Sequence, residues 1–163
     1  MNAKYNIDEI FEIAIKIEEN GAAFYRKAAS LQEDDETAGV LRDLAGMEED
    51  HKANFQNMRA AANTEATVET EFDPYLESLT YLNATADAHG GEGSVSQTAA
   101  LTGNESLEDI LQTGIGLEKE SILFYMGIRD NMAAGTDIGK LNEIISEEKN
   151  HLATLAALRK KLA

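Results

Sequence analysis

No cysteine occurs among the 163 residues. Its absence excludes disulfides, thiolate zinc sites, a four-cysteine iron centre and a cysteine nucleophile, and it accords with a cytoplasmic location. Proline is almost missing too: Pro74 is the one example, so little interrupts helices elsewhere. Basic side chains are scarce, 14 against 30 acidic ones, for a formal charge of −16. Such a field repels nucleic acid and anionic membranes, keeps a helical protein soluble, and raises the local concentration of metal cations. Met1 to Asp8 lack the basic region and apolar run of a secretion signal, and no segment reaches the uncharged length of a membrane span. What remains is a chain that is 43% apolar with strong helical periodicity. We expect one all-α domain over 1–163 with a single sizeable core.

The informative stretch is Glu48-Glu49-Asp50-His51. It lies within the apolar stripe Leu41, Leu44, Glu48, His51, Phe55, Met58, where each step is three or four residues. Glu48 and His51 therefore point where Leu44 and Phe55 point, into a core. A carboxylate and an imidazole are costly to bury without strong partners, and a metal cation is the obvious one. The pattern recurs 100 residues later as Leu141, Ile144, Glu148, His151, Leu155, Leu158.

Asn6-Ile7-Asp8-Glu9 carries a capping-box signature, so a first helix starts near residue 6. Its stripe includes Ile7, Ile10, Phe11, Ala14, Glu18, Gly21, Ala22, Tyr25 and Ala28, with small residues leaving room beside the lone acid Glu18. The acidic segment 32–36 is a solvated connector, and a second helix spans about 37–62. Residues 63–105 form the crossover: a short helix from Pro74 to about Ala88, then a flexible Gly-rich loop that His89 abuts. Ser106-Leu107-Glu108-Asp109 restarts the pattern. The third helix repeats the first, with Glu118 matching Glu18, Tyr125 matching Tyr25 and Gly114 standing where Ala14 stood. After a turn at 134–137, a fourth helix runs to the end. The chain is thus a tandem duplication of one helical hairpin, 6–62 and 106–162, whose long connection lets the third helix run parallel to the second.

Each hairpin contributes a Glu from its first helix and a Glu-x-x-His from its second. Residues three apart on a helix lie roughly 5 Å apart on one face, so one helix can offer an oxygen and a nitrogen to adjacent ions. Glu48 and Glu148 can bridge two cations, His51 and His151 each cap one, and Glu18 and Glu118 supply terminal carboxylates. Four carboxylates offset two divalent ions, and the mixed oxygen and nitrogen set favours iron or manganese. Glu49, Asp50, Glu120 and Glu147 fall off the stripe and are read as solvated. His89 is read as exposed.

The order Glu18…Tyr25…Glu48-x-x-His51, repeated as Glu118…Tyr125…Glu148-x-x-His151, resembles the ferritin-like superfamily and, within it, the rubrerythrin-type proteins. The resemblance implies a ferritin-like four-helix bundle in which Glu18, Glu48, His51, Glu118, Glu148 and His151 ligate two iron ions, with manganese or mixed occupancy as the variant. It also implies that Tyr25 and Tyr125 take part in the chemistry by hydrogen-bonding to ligand carboxylates. The chain departs from full rubrerythrins in two ways. They add a four-cysteine rubredoxin domain, whereas this chain would take electrons from an external donor. They also carry a further inward Glu where this chain has Ser121.

The activity so implied is an oxidoreductase that reduces hydrogen peroxide or O2, protecting against oxidative stress as a cytoplasmic homodimer. Two other readings stand beside it: an iron-handling ferroxidase or iron-binding protein, and a non-catalytic metal-binding helical module.

Overall fold

The structure, a computed structural model, describes residues 7–65, 95–130 and 138–162. Among them the ordered elements are helices: α1 (Ile7–Leu31), α2 (Asp35–Glu65), α3 (Val95–Ala100), α4 (Leu107–Asp130) and α5 (Ile138–Leu162). The expected Asn6 cap, the helix expected over 74–88, His89 and the turn at 134–137 lie outside the described residues.

Helix boundaries follow from their caps. Asp34 caps α2: its Oδ2 accepts the Thr37 N–H at 2.8 Å, while its carbonyl accepts the Ala38 N–H at 2.9 Å. Hydrogen bonds from Thr37 above all hold the Asp34 carboxyl below its ordinary range. The cap explains why α2 begins at Asp35, two residues before the expected Thr37; it also runs on to Glu65 rather than stopping at Ala62. For α4 a capping box stands where the sequence restarts the helical pattern. The Asp109 N–H donates to Ser106 Oγ at 3.1 Å and the Ser106 N–H donates back to Asp109 Oδ2 at 3.0 Å.

Residues 32–34 join α1 to α2, and ion pairs at opposite ends fix their direction. Arg26 Nη2 meets Glu49 Oε1 at 2.6 Å, and Arg59 Nε meets Asp8 Oδ1 at 2.6 Å, so the helices are antiparallel. In α4 and α5 the same fastening returns 100 residues on, with Arg159 Nε against Glu108 Oε1 at 2.6 Å. Arg59 does more than its counterpart: its Nη2 also reaches Glu12 Oε1 at 2.5 Å, and hydrogen bonds to Asp8 first, then Glu12, raise its pKa further.

The loop expected to be flexible before α4 is instead built, at least over its last residues. After α3, Thr102 Oγ1 donates to Glu105 Oε1 at 2.8 Å and the Gly103 N–H to Glu105 Oε2 at 2.9 Å. Thr102's side chain first, with the backbone donors behind it, lowers the Glu105 pKa to about 2. Gly103 has φ +89°, a left-handed value that only glycine adopts without strain, and a Cβ there would sit 3.3 Å from the Leu31 Cβ. Gln32 Nε2 donates to the Glu105 carbonyl at 3.3 Å. The start of α4 is therefore pinned to the end of α1, and α4 runs antiparallel to α1 and parallel to α2, as a single long crossover requires.

Two apolar clusters fill the bundle, and all four long helices feed each. One holds Ile10, Phe11 and Ile17 of α1, Phe55 of α2, Ile122 and Tyr125 of α4, and Leu141 and Ile144 of α5. The other holds Phe24 and Tyr25, Leu41 and Leu44, Ile110 and Leu111, and Leu155 from the same four helices. Each large apolar side chain so buried stabilises the fold by about 1.5–3 kcal/mol. On every helix the candidate ligands fall between the residues given to one cluster and those given to the other, which makes a polar belt across the waist of the bundle. No described helix is long and apolar enough to cross a membrane.

Candidate metal centre

Helical register alone carries the polar belt inward. Glu18, Glu48 and Glu118 are fully buried, and Glu148 and His151 are 1% exposed. Around Glu18 the small residues Ala14, Gly21 and Ala22 are buried too, which leaves the acid space. His51 differs: its side chain is 19% exposed and forms the one edge of the six-residue set in contact with solvent.

The six positions come from four helices, and their contacts cross between hairpins. His151 Nε2 on α5 lies 3.2 Å from Glu48 Oε1 on α2, and His151 Nδ1 meets Glu118 Oε1 on α4. His51 Nδ1 lies 3.7 Å from Glu18 Oε2 and 3.9 Å from Glu48 Oε2. The two imidazoles stand edge to face with centroids 4.6 Å apart. Glu48, His51 and His151 each offer a ligand atom, all within 4.8 Å of one another. Glu148 shares the buried face of α5 one turn before His151.

The donor set fits cations. Both nitrogens of His151 face carboxylate oxygens, yet a neutral imidazole donates through only one of them. A positive charge between ring and carboxylate resolves that geometry, and four buried carboxylates call for about four positive charges in total. Oxygen and imidazole donors without sulfur match iron or manganese.

Tyr25 and Tyr125 are both fully buried, and Tyr25 reaches across to the opposite hairpin. A Cβ built on Gly114, one turn before Glu118, would collide with the Tyr25 hydroxyl. Tyr125 belongs to the cluster that contains Ala14, one turn before Glu18. The Ala14 to Gly114 change thus has a steric reason that the aligned halves show but do not explain. Ser121 is fully buried one turn beyond Glu118, facing inward at the place matched by Gly21 in the first half.

Of the residues read as solvated, Asp50 and Glu120 are exposed, and Glu49 and Glu147 are half-buried. Glu49 pairs with Arg26, whose hydrogen bond holds the Glu49 carboxyl below the usual range.

A family model described as Rubrerythrin matches residues 9–159. The chain belongs to the rubrerythrin family. Its ferritin-like fold is shared with a solved structure from Thermotoga maritima, described as a ferritin-like diiron-carboxylate protein, at 20% identity, with a TM-score of 0.56 and 100% of both chains covered. No curated protein matches the chain. For a rubrerythrin family member the duplicated hairpins, the long crossover and the waist-level polar belt are all accounted for by the fold.

Proposed function

We propose that the chain is a di-iron oxidoreductase that reduces hydrogen peroxide, or O2, using electrons from an external donor. Glu18, Glu48, His51, Glu118, Glu148 and His151 would hold the two ions, with manganese as the alternative occupant. The observation that carries this reading is His151, fully buried and set between Glu48 of one hairpin and Glu118 of its own. The family and fold support a di-iron protein; the reaction is our inference from the site.

Iron bound there would supply one electron per ion and polarise the O–O bond. The chain's own residues set the conditions. The four carboxylates compensate charge, and with His51 and His151 they fix the positions of the ions. The apolar clusters above and below the belt exclude bulk water and limit side reactions. His51, at the solvent edge, marks the way in for a small oxidant. Tyr25 and Tyr125, both buried, would orient ligand carboxylates by hydrogen bonding. Reduction of one peroxide to two waters consumes two electrons and two protons. A homodimeric cytoplasmic protein consuming peroxide fits the rest of the proposal.

Anaerobic loading with Fe(II), metal analysis and a peroxide-consumption assay test it. We expect two iron ions per chain, re-oxidised by peroxide far faster than free Fe(II) in the same buffer. Re-oxidation no faster than free Fe(II) would sink the reading. The charge of −16, which concentrates Fe(II), favours iron handling as the second reading. A multi-subunit shell on gel filtration would support that one.

A further inference from the structure

An open groove of about 520 Å³ runs along the outer side of α4 and α5. Its floor is apolar, made by Ile115, Leu152 and Ala156, and its rim carries Lys119, Arg159 and Lys160. Glu108 also lines it and pairs with Arg159, so that Lys119 and Lys160 carry the net positive charge of the rim. Two turns after Ile115 along α4, Leu123 is 66% exposed, the most exposed of the large apolar side chains among the described residues. A cationic rim with an apolar floor is out of keeping with a chain of charge −16. Elsewhere that field repels an acidic partner; here the local sign is reversed.

The groove also backs onto the polar belt. Lys119 follows Glu118, and Leu152 follows His151. Leu152 packs against both apolar clusters while lining the groove floor, so one side chain connects the outer surface with the core around the site. A molecule seated in the groove would lie against the two helices that carry Glu118 and His151, and one helix is about 10 Å across.

We propose that this groove docks the reductant: a small, acidic, one-electron carrier protein, received by Lys119 and Lys160 and anchored on the apolar floor and Leu123. The 163 residues contain no cysteine and so no thiolate-held redox centre of their own. The inference rests on the proposed oxidoreductase reading. Two reduced carriers are each oxidised by one electron, and those two electrons with two protons convert one hydrogen peroxide to two waters.

The test uses an acidic plant-type [2Fe–2S] ferredoxin as probe and a basic cytochrome c as control, with binding measured by calorimetry at low and at high salt. The variants are the double charge reversal Lys119→Glu/Lys160→Glu and, separately, Leu123→Ser. All three positions are at the surface, and none is among the residues assigned to the metal centre. We expect the double variant to weaken ferredoxin binding at least tenfold and to flatten its salt dependence, and Leu123→Ser to weaken it severalfold. Cytochrome c binding should not weaken in either variant. Peroxide consumption driven by dithionite, which needs no docking, should match wild type in both. Ferredoxin affinity that is absent in wild type, or the same in all three proteins, overturns the proposal. Variants that turn a dimer into a monomer without changing ferredoxin binding assign the groove to a second copy, and overturn it equally. Failure of dithionite-driven turnover in the wild type refutes the oxidoreductase reading, and the calorimetry still decides the docking surface.

Discussion

The two hairpins carry the same candidate ligand positions but are not the same machine. In the second, His151 is sealed, with a carboxylate at each ring nitrogen. In the first, His51 is 19% exposed at the side chain, and its Nδ1 lies 3.7 Å from Glu18 Oε2. The outer fastenings run the other way. Arg59 binds two acids across the first hairpin, whereas Arg159 binds one across the second and is more exposed. Helical register decides which side chains enter the belt; the packing around each copy decides how tightly the belt is closed. The half with the firmer external clamps has the looser histidine.

The largest expected effect separates the two imidazoles. His151→Ala should abolish stoichiometric iron binding, because it removes the ligand that links hairpins, whereas His51→Ala should leave a measurable fraction of the metal bound. Iron per chain after loading and desalting reads this directly, and equal losses would erase the proposed difference between halves. Next comes the tyrosine contact. Gly114→Ala drives a methyl into the Tyr25 hydroxyl and should destabilise the fold by about 1–3 kcal/mol in urea unfolding. Ala14→Gly, in the matching place, should cost only about 1 kcal/mol.

The arginine clamps come third. Arg59→Ala should lower stability by about 1 kcal/mol and Arg159→Ala by at most a few tenths, the range for partly and more fully exposed pairs. A larger loss at Arg159 would reverse the ranking of the outer fastenings. The smallest effect is a pH dependence at the start of the second hairpin. Hydrogen bonds from Thr102 and Gly103 depress the Glu105 pKa from 4.5 to about 2. A depressed carboxyl stabilises the folded state when ionised, so its contribution is complete above about pH 4.5 and is lost as the pH falls towards 2. Glu105→Gln should therefore lower the melting temperature at pH 6 and leave it little changed near pH 2. A constant difference across that range would mean that the turn is held by something other than this charge.

Much of the architecture is legible in the sequence because it is periodic. The stripe containing Glu48 and His51, with its copy at Glu148 and His151, places four of the belt residues, and Glu18 and Glu118 follow from their own helices. What fails to show is whatever depends on three-dimensional neighbours. His51 and His151 have near-identical stripes, so their unequal exposure is invisible until α4 and α5 are packed. The collision space at Gly114 is set by a residue 89 positions away, although an alanine-to-glycine change between copies is a signal. The pairs Asp8 with Arg59 and Glu108 with Arg159 were open to discovery, since both members recur at the same spacing as the ligands. Helix α3 and the Gly103 turn were not, because short polar segments rich in Thr, Gly and Ser look alike whether built or loose.

Gly103 against Leu31, and Gln32 on the Glu105 carbonyl, attach the second hairpin to the first by means other than the connecting segment. Every interhelical contact described above lies within or between two pieces of the chain, 1–65 and 95–163. Each fragment brings three of the six belt residues, so neither can assemble the centre alone. Mixed together, they would form a complementation pair whose reunion is reported by the metal itself.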